Sequence, residues 1–86
     1  MTGSKLQSQV IKEMERRGYL VVNVTAASKN GVSDLICCSN GGKFVALEIK
    51  GRGDTLKPLQ SYFLAEARIR DGEGRVVKSL DDLKGL

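Results

Sequence analysis

The sequence contains no histidine, no tryptophan and only one proline among its 86 residues. Without histidine it cannot form a Ser-His-Asp or Cys-His catalytic centre, or a histidine-ligated zinc or haem site. No apolar run approaches the roughly 20 residues that span a bilayer. No basic segment followed by an apolar stretch marks a secretory signal. We therefore expect no membrane association and a cytoplasmic, intracellular location.

Cysteine is also scarce, since the chain has only the adjacent pair Cys37 and Cys38. Neighbouring residues on a strand point to opposite faces, so a disulfide between them is disfavoured. Two adjacent cysteines without histidine are not a zinc set. We interpret both as reduced residues carried by a strand.

The composition is that of one small globular domain, which we place over residues 1–86. The hydrophobic fraction of 41% is too high for a disordered tail. Fourteen Lys and Arg against ten Asp and Glu give a formal net charge of +4. Acidic residues concentrate towards the C-terminus, so we expect one basic face on the protein.

The hydrophobic spacing predicts a helix over residues 4–17, capped by Ser4, and a second helix from Pro58 to about Arg70. Segments rich in β-branched residues predict four strands, over 19–25, 32–38, 43–50 and 75–78. A further helical turn would begin after Ser79. The order α-β-β-β-α-β indicates an α/β domain, with a mixed β-sheet flanked by helices.

An acidic pair stands out in the predicted hairpin of the second and third strands. If Asn40-Gly41-Gly42 forms its loop, Ser39 faces Lys43 and Asp34 lies opposite Glu48. A register change of one residue would break this pairing.

Two carboxylates this close repel each other unless a cation neutralises them. Lys50, on the same strand face as Glu48, could help, and a divalent metal with oxygen ligands would help more. The spacing Asp-x(13)-Glu-x-Lys is therefore compatible with a centre that cleaves phosphodiesters. It is equally compatible with ordinary charges on an exposed strand face.

Three ordered segments carry a family resemblance: GVSDLI at 31–36, EIK at 48–50 and LKPLQ at 56–60. Together, and over almost the whole chain, they resemble the VRR-NUC branch of the PD-(D/E)XK nuclease superfamily. The resemblance implies a small restriction-endonuclease-like fold and a Mg²⁺- or Mn²⁺-dependent endodeoxyribonuclease. Short stand-alone members of this kind resemble phage and bacterial enzymes that cut branched DNA such as Holliday junctions or flaps, often as homodimers.

The resemblance also implies roles for particular residues. Asp34, Glu48 and the backbone carbonyl of Ile49 would hold the metal, and Lys50 would be the catalytic lysine. Gln60 would support the centre from the second helix. On the residues alone, Gln60 could equally be a helix-end glutamine bonded to nearby backbone.

The chain departs from the family pattern at two positions. Ser33 replaces the usual proline before the aspartate, and Gly3 stands where the family commonly has a glutamate in its first helix. A helical wheel at about 100° per residue leaves Gln7 facing the site and Glu13 at its edge as possible contributors. The missing acid leaves open a non-catalytic DNA-binding module of the same fold, or a small structural protein with incidental acids.

Basic residues in loops near the predicted site could contact DNA phosphates without reading sequence. The candidates are Lys29, Lys43, Arg52 and Lys57. With few aromatic residues for stacking on single strands, we expect duplex structure to be recognised by its shape and backbone. A two-fold dimer would present two sites to two strands, with Tyr62 and Leu64 as candidate interface residues.

Overall fold

The computed structural model describes residues 2–86 and has the predicted order of elements. Helix α1 precedes three strands, and helix α2 is followed by a fourth strand and a short 3-10 helix. The bounds are α1 Gly3–Arg16, β1 Leu20–Asn23, β2 Leu35–Cys38, β3 Phe44–Ile49, α2 Pro58–Ile69, β4 Glu73–Val77 and the 3-10 helix Leu80–Leu83. The predicted α/β fold class is confirmed.

The four strands form one mixed sheet in the order β1-β2-β3-β4. The β1–β2 and β2–β3 pairs are antiparallel, whereas β3 and β4 are parallel. A parallel pair needs a long crossover, and α2 supplies it. The carboxyl ends of β3 and β4 therefore lie at the same edge of the sheet.

The two helices cover opposite faces of the sheet. On one face, α1 packs Leu6, Val10 and Met14 into a buried cluster with the odd-numbered side chains of β3. On the other, α2 packs Leu64 and Ala67 against Ala46. Because β3 is covered on both sides, its residues Val45 to Ile49 are all buried. The predicted alternation of β3 side chains between two faces is confirmed.

Several predicted element ends are wrong by a few residues. The cap of α1 is Thr2, whose side-chain oxygen accepts a hydrogen bond from the Lys5 N–H at 3.3 Å, so Ser4 lies inside the helix. Glu73 and Gly74, which lie before the predicted start of the fourth strand at residue 75, belong to β4 because they pair with Val45 and Ala46. The first difference is a choice between two nearby cap residues, whereas the second comes from strand pairing, which local turn signals do not report.

Both cysteines are free, as predicted, and lie on opposite faces of β2. Cys37 belongs to the buried cluster under α1, whereas Cys38 is half-buried. Burial raises the pKa of the Cys37 thiol to about 11. That thiol is therefore protonated at neutral pH and behaves as a small apolar core residue.

Candidate active site

The hairpin register brings Asp34 to Glu48 as the sequence predicts. Leu35 pairs with Leu47 and Cys38 with Phe44, and continuing this register by one residue sets Asp34 opposite Glu48. Asp34 lies just before β2, and its Oδ2 accepts a hydrogen bond from the Ile49 N–H at 2.8 Å. At this end of the β2–β3 pair, the Ile49 N–H thus bonds to the Asp34 side chain and not to a backbone carbonyl of the β2 segment.

Glu48 and Lys50 form a buried ion pair on the face of β3 that α2 covers. Only 2% of Glu48 and 8% of Lys50 is exposed, and Glu48 Oε2 lies 3.4 Å from Lys50 Nζ. The other carboxylate oxygen, Glu48 Oε1, is buried and has no hydrogen-bond partner within residues 2–86. A buried polar atom without a partner is costly, so this oxygen indicates a place for a ligand.

The electrostatics of the site oppose ionisation of Glu48. Burial, and next the charge of Asp34, raise the pKa of the Glu48 carboxyl to about 7, although Lys50 acts in the opposite direction. The ammonium of Lys50 therefore does not fully compensate the two acids. A cation placed between them would favour the ionised form of Glu48.

Gln60 links the start of α2 to this ion pair. Pro58 occupies the first helical position, which places Gln60 where its Oε1 can reach back to the Lys57 N–H at 2.9 Å. The same oxygen accepts a hydrogen bond from Lys50 Nζ at 2.8 Å. Gln60 therefore bonds both to backbone, as one alternative expected, and to the site, where its partner is Lys50 and not a carboxylate.

A divalent metal fits the donor set at Asp34 and Glu48. No group of three or more His, Cys, Asp or Glu residues with metal-binding geometry occurs between residues 2 and 86. Mg²⁺, however, is commonly bound through one or two carboxylates, with water and substrate phosphate as its other ligands. The Ile49 N–H points to Asp34, and the carbonyl of a strand residue points to the same side as its N–H. Ile49 can thus add a backbone oxygen.

Helix α1 does not bring Gln7 or Glu13 to the two acids, and the placement expected for them is wrong. Gln7 donates to the Asn23 side chain at 2.8 Å, and Glu13 is bound by Arg16 and Arg17. The wheel identified the apolar side of α1 correctly, but that side covers the sheet face opposite Glu48. Glu13 also lies about 15 Å along the helix from Gly3, at 1.5 Å per residue.

Gly3, by contrast, lies at the edge of the sheet where the site is. A Cβ built on Gly3 would be 3.7 Å from Asp54 Oδ2 and 3.7 Å from the nitrogen of Gly51, the residue after Lys50. A Cβ on Gly51 would be only 2.6 Å from the Gly3 nitrogen, so glycine at position 51 permits this close packing. The start of α1 therefore contacts the chain just beyond β3, without offering a carboxylate.

The predicted basic residues divide into two groups. Lys29 lies in the loop that leads to Asp34, while Arg52 and Lys57 lie in the loop between β3 and α2. Lys43 precedes β3 at the opposite end of the sheet, about 16 Å from Glu48 along an extended strand, so its expected place beside the site is wrong. Lys78, which follows β4, was missed because the parallel pairing that sets it beside Lys50 joins segments distant in sequence.

The two candidate interface residues also differ. Leu64 is 1% exposed and belongs to the core under α2, so it is not available to a partner. Tyr62 is 63% exposed. Leu20 and Val22 are exposed as well. They lie on the sheet face that α2 packs against, at β1, which α2 does not cover.

Comparison with known proteins supports the fold. A solved structure described as a "VRR_NUC domain" superposes with a TM-score of 0.79, over 94% of this chain and 88% of that chain, at 22% sequence identity. The chain has the fold of a VRR_NUC domain. No family model matches the sequence, and no curated protein matches it. Within residues 2–86 of this VRR_NUC fold, no helix is both long and apolar enough to traverse a bilayer.

Proposed function

We propose that this protein is a metal-dependent nuclease that hydrolyses phosphodiester bonds in DNA. The observation that carries the proposal is the buried Glu48 carboxylate, with one oxygen unpartnered, beside Asp34 and next to a buried lysine. The VRR_NUC fold supports the same conclusion, because a solved structure that shares it is described by the name of a nuclease domain.

The burial of charge at this point is difficult to explain by stability. Replacing a buried ion pair by apolar residues of similar volume is often neutral or stabilising. The same strand shows this alternative, since Val45, Leu47 and Ile49 pack tightly on its other face. Ionisable groups with strongly shifted pKa values concentrate at functional sites, which favours a catalytic role for Glu48.

In the proposed mechanism, Asp34, Glu48 and the Ile49 carbonyl would hold Mg²⁺ or Mn²⁺. A bound divalent ion would polarise the scissile phosphate and lower the pKa of an attacking water. The ammonium of Lys50 lies beside the Glu48 carboxylate. There it would stabilise the negative charge that develops on the phosphate oxygens. Gln60 Oε1 accepts a hydrogen bond from Lys50 Nζ and so fixes the position of the ammonium.

We further propose that the substrate is structured or branched duplex DNA and that the protein acts as a homodimer. Lys29 lies in the loop before Asp34, and Arg52 and Lys57 lie in the loop after Lys50, where we propose that they contact phosphates. The exposed apolar residues Leu20, 68% exposed, and Tyr62 would supply surface to a two-fold interface.

A second candidate, a DNA-binding module without activity, is favoured by one observation. α1 offers no acidic side chain at the site, because Gly3 occupies the position closest to it. In that case Asp34 and Glu48 would bind a cation without help from an acid on α1, too weakly for catalysis.

Cleavage assays separate the two candidates. A four-way junction, a flap and a linear duplex would be incubated with Mn²⁺ and with the wild-type chain, Lys50→Ala, or the control Lys12→Ala on the exposed side of α1. We expect wild type and Lys12→Ala to cut and Lys50→Ala to lose about 10²–10³-fold in rate, the usual cost of removing one electrostatic donor. Binding without any cutting by wild type would contradict the nuclease and support the binding module.

A further inference from the structure

A cavity of about 410 Å³ lies at the carboxyl ends of β3 and β4, beside the acids and distinct from them. Ile49 pairs with Val77 in the parallel ladder, and the Lys50 N–H bonds to the Val77 carbonyl at 2.9 Å, so Lys50 and Lys78 leave the sheet side by side. Ligands of open α/β sheets bind outside the carboxyl ends of parallel strands. The residues lining the cavity are Lys50, Gly51, Arg52, Gly53, Asp54 and Lys78.

The cavity carries positive charge that the protein itself does not neutralise. Five ion pairs form among residues 2–86, and neither Arg52 nor Lys78 takes part in any of them. The one acid in the lining, Asp54, accepts a hydrogen bond from the Gly51 N–H at 2.8 Å. The Asp54 carboxylate therefore has a partner within its own loop but keeps its negative charge. Arg52 and Lys78, two cations outside any ion pair, outnumber this one acid, so the lining keeps a net positive charge for an anion.

Arg52 is carried by a tight turn that packs against α1. The Asp54 N–H bonds to the Gly51 carbonyl at 3.1 Å, and Gly53 has a φ of 86°, which are the marks of a type II turn with Arg52 at its second position. The contact between Gly51 and Gly3 holds this turn against the helix. Arg52 thus has a fixed backbone position across the cavity from Lys78.

We propose that Arg52 and Lys78 form a subsite for one backbone phosphate of DNA, adjacent to the phosphate that is cut. This inference rests on the proposed function for its substrate. Lys50 lines the cavity and also pairs with Glu48. A DNA strand bound at the two acids would therefore pass the cavity. The guanidinium of Arg52 can bind phosphate oxygens in pairs, and the ammonium of Lys78 adds a second charge.

The test compares the double variant Arg52→Gln/Lys78→Gln with Lys12→Gln/Lys84→Gln, which removes the same charge from exposed positions elsewhere. Binding to a fluorescent four-way junction is measured by anisotropy in EDTA at several salt concentrations, so that cleavage does not interfere. In the subsite variant we expect the negative slope of log K against log salt to become shallower by about 1, because one phosphate contact is lost. The slope of the control variant should stay closer to that of wild type than the slope of the subsite variant does.

Folding and metal binding provide the internal checks. Both double variants should keep the wild-type melting temperature, and Mn²⁺ should shift it in both, because neither variant alters Asp34 or Glu48. Equal slopes in the two double variants, or no binding of the junction by wild type, would overturn the subsite. A reduced slope in a protein that never cuts DNA would support the subsite while contradicting the nuclease. Cutting with an unchanged slope would do the reverse.

Discussion

The two faces of strand β3 carry different kinds of side chain, one apolar and the other partly charged. Under α1, Val45, Leu47 and Ile49 belong to a buried hydrophobic cluster. Under α2 the apolar contact ends at Ala46, and the strand continues with the buried charges of Glu48 and Lys50. The first face stabilises the fold, and the second carries groups that burial disfavours. The comparison identifies Glu48 and Lys50 as the part of β3 whose burial is not explained by stability.

The largest effect should follow from a change on the α1 face. Leu47→Ala removes a fully buried side chain from the cluster and should lower the free energy of unfolding by about 2–5 kcal/mol. Chemical denaturation with a matched change on the exposed strand β1, Val22→Ala, as control would measure it. A loss as small as that of the control would mean that the two faces do not differ as described.

A change on the α2 face should act in the opposite direction. The pKa of Glu48 is about 7 in the folded protein against an ordinary 4.5, so the folded state keeps its proton longer and loses stability as pH rises between these values. Glu48→Gln cannot ionise and should be more stable than wild type at pH 8 in EDTA, by about 1–3 kcal/mol at 1.36 kcal/mol per pKa unit.

The pH dependence provides the control for that variant. At pH 4.5 and below, Glu48 is protonated in the folded protein, so the advantage of Glu48→Gln should shrink as pH falls from 8 to 4.5. Urea denaturation at both pH values would show it. A variant that is less stable than wild type at pH 8 would contradict the view that burial of this carboxylate is unfavourable.

The smallest effect is expected at a charge outside both faces. Hydrogen bonds from Arg16 and then Arg17 hold the pKa of Glu13 at about 2, below its ordinary value of 4.5. Its contribution to stability is present above pH 4.5 and is lost as pH falls towards 2. Glu13→Gln should therefore be slightly less stable than wild type at pH 7 and equal to it near pH 2. Because Arg16 is exposed and Glu13 is partly exposed, salt should reduce the difference.

The sequence was sufficient where local chemistry determines geometry. The turn at Asn40-Gly41-Gly42 sets Ser39 against Lys43, with a backbone hydrogen bond of 3.0 Å between them, and that register carries Asp34 to Glu48. Pro58 likewise defines the first turn of α2 and hence the reach of Gln60.

Long-range packing was the part that the sequence did not specify. The apolar stripe of α1 showed which side of the helix is buried, but not which face of the sheet it covers, so Gln7 and Glu13 were placed at the wrong face. The pairing of β3 with β4 joins segments separated by a whole helix. For that reason the position of Lys78 beside Lys50 became visible only in the structure.

We propose that Asp34 and Glu48 bind a divalent cation between them, and the effect of Mn²⁺ on thermal unfolding tests this directly. Wild type, Glu48→Gln and the control Glu13→Gln would be titrated with Mn²⁺ at pH 8. A ligand that binds only the folded state raises the melting temperature with concentration. We predict this rise for wild type and Glu13→Gln, and its loss in Glu48→Gln. An equal response in all three proteins, or none in wild type, would contradict a cation site at Asp34 and Glu48.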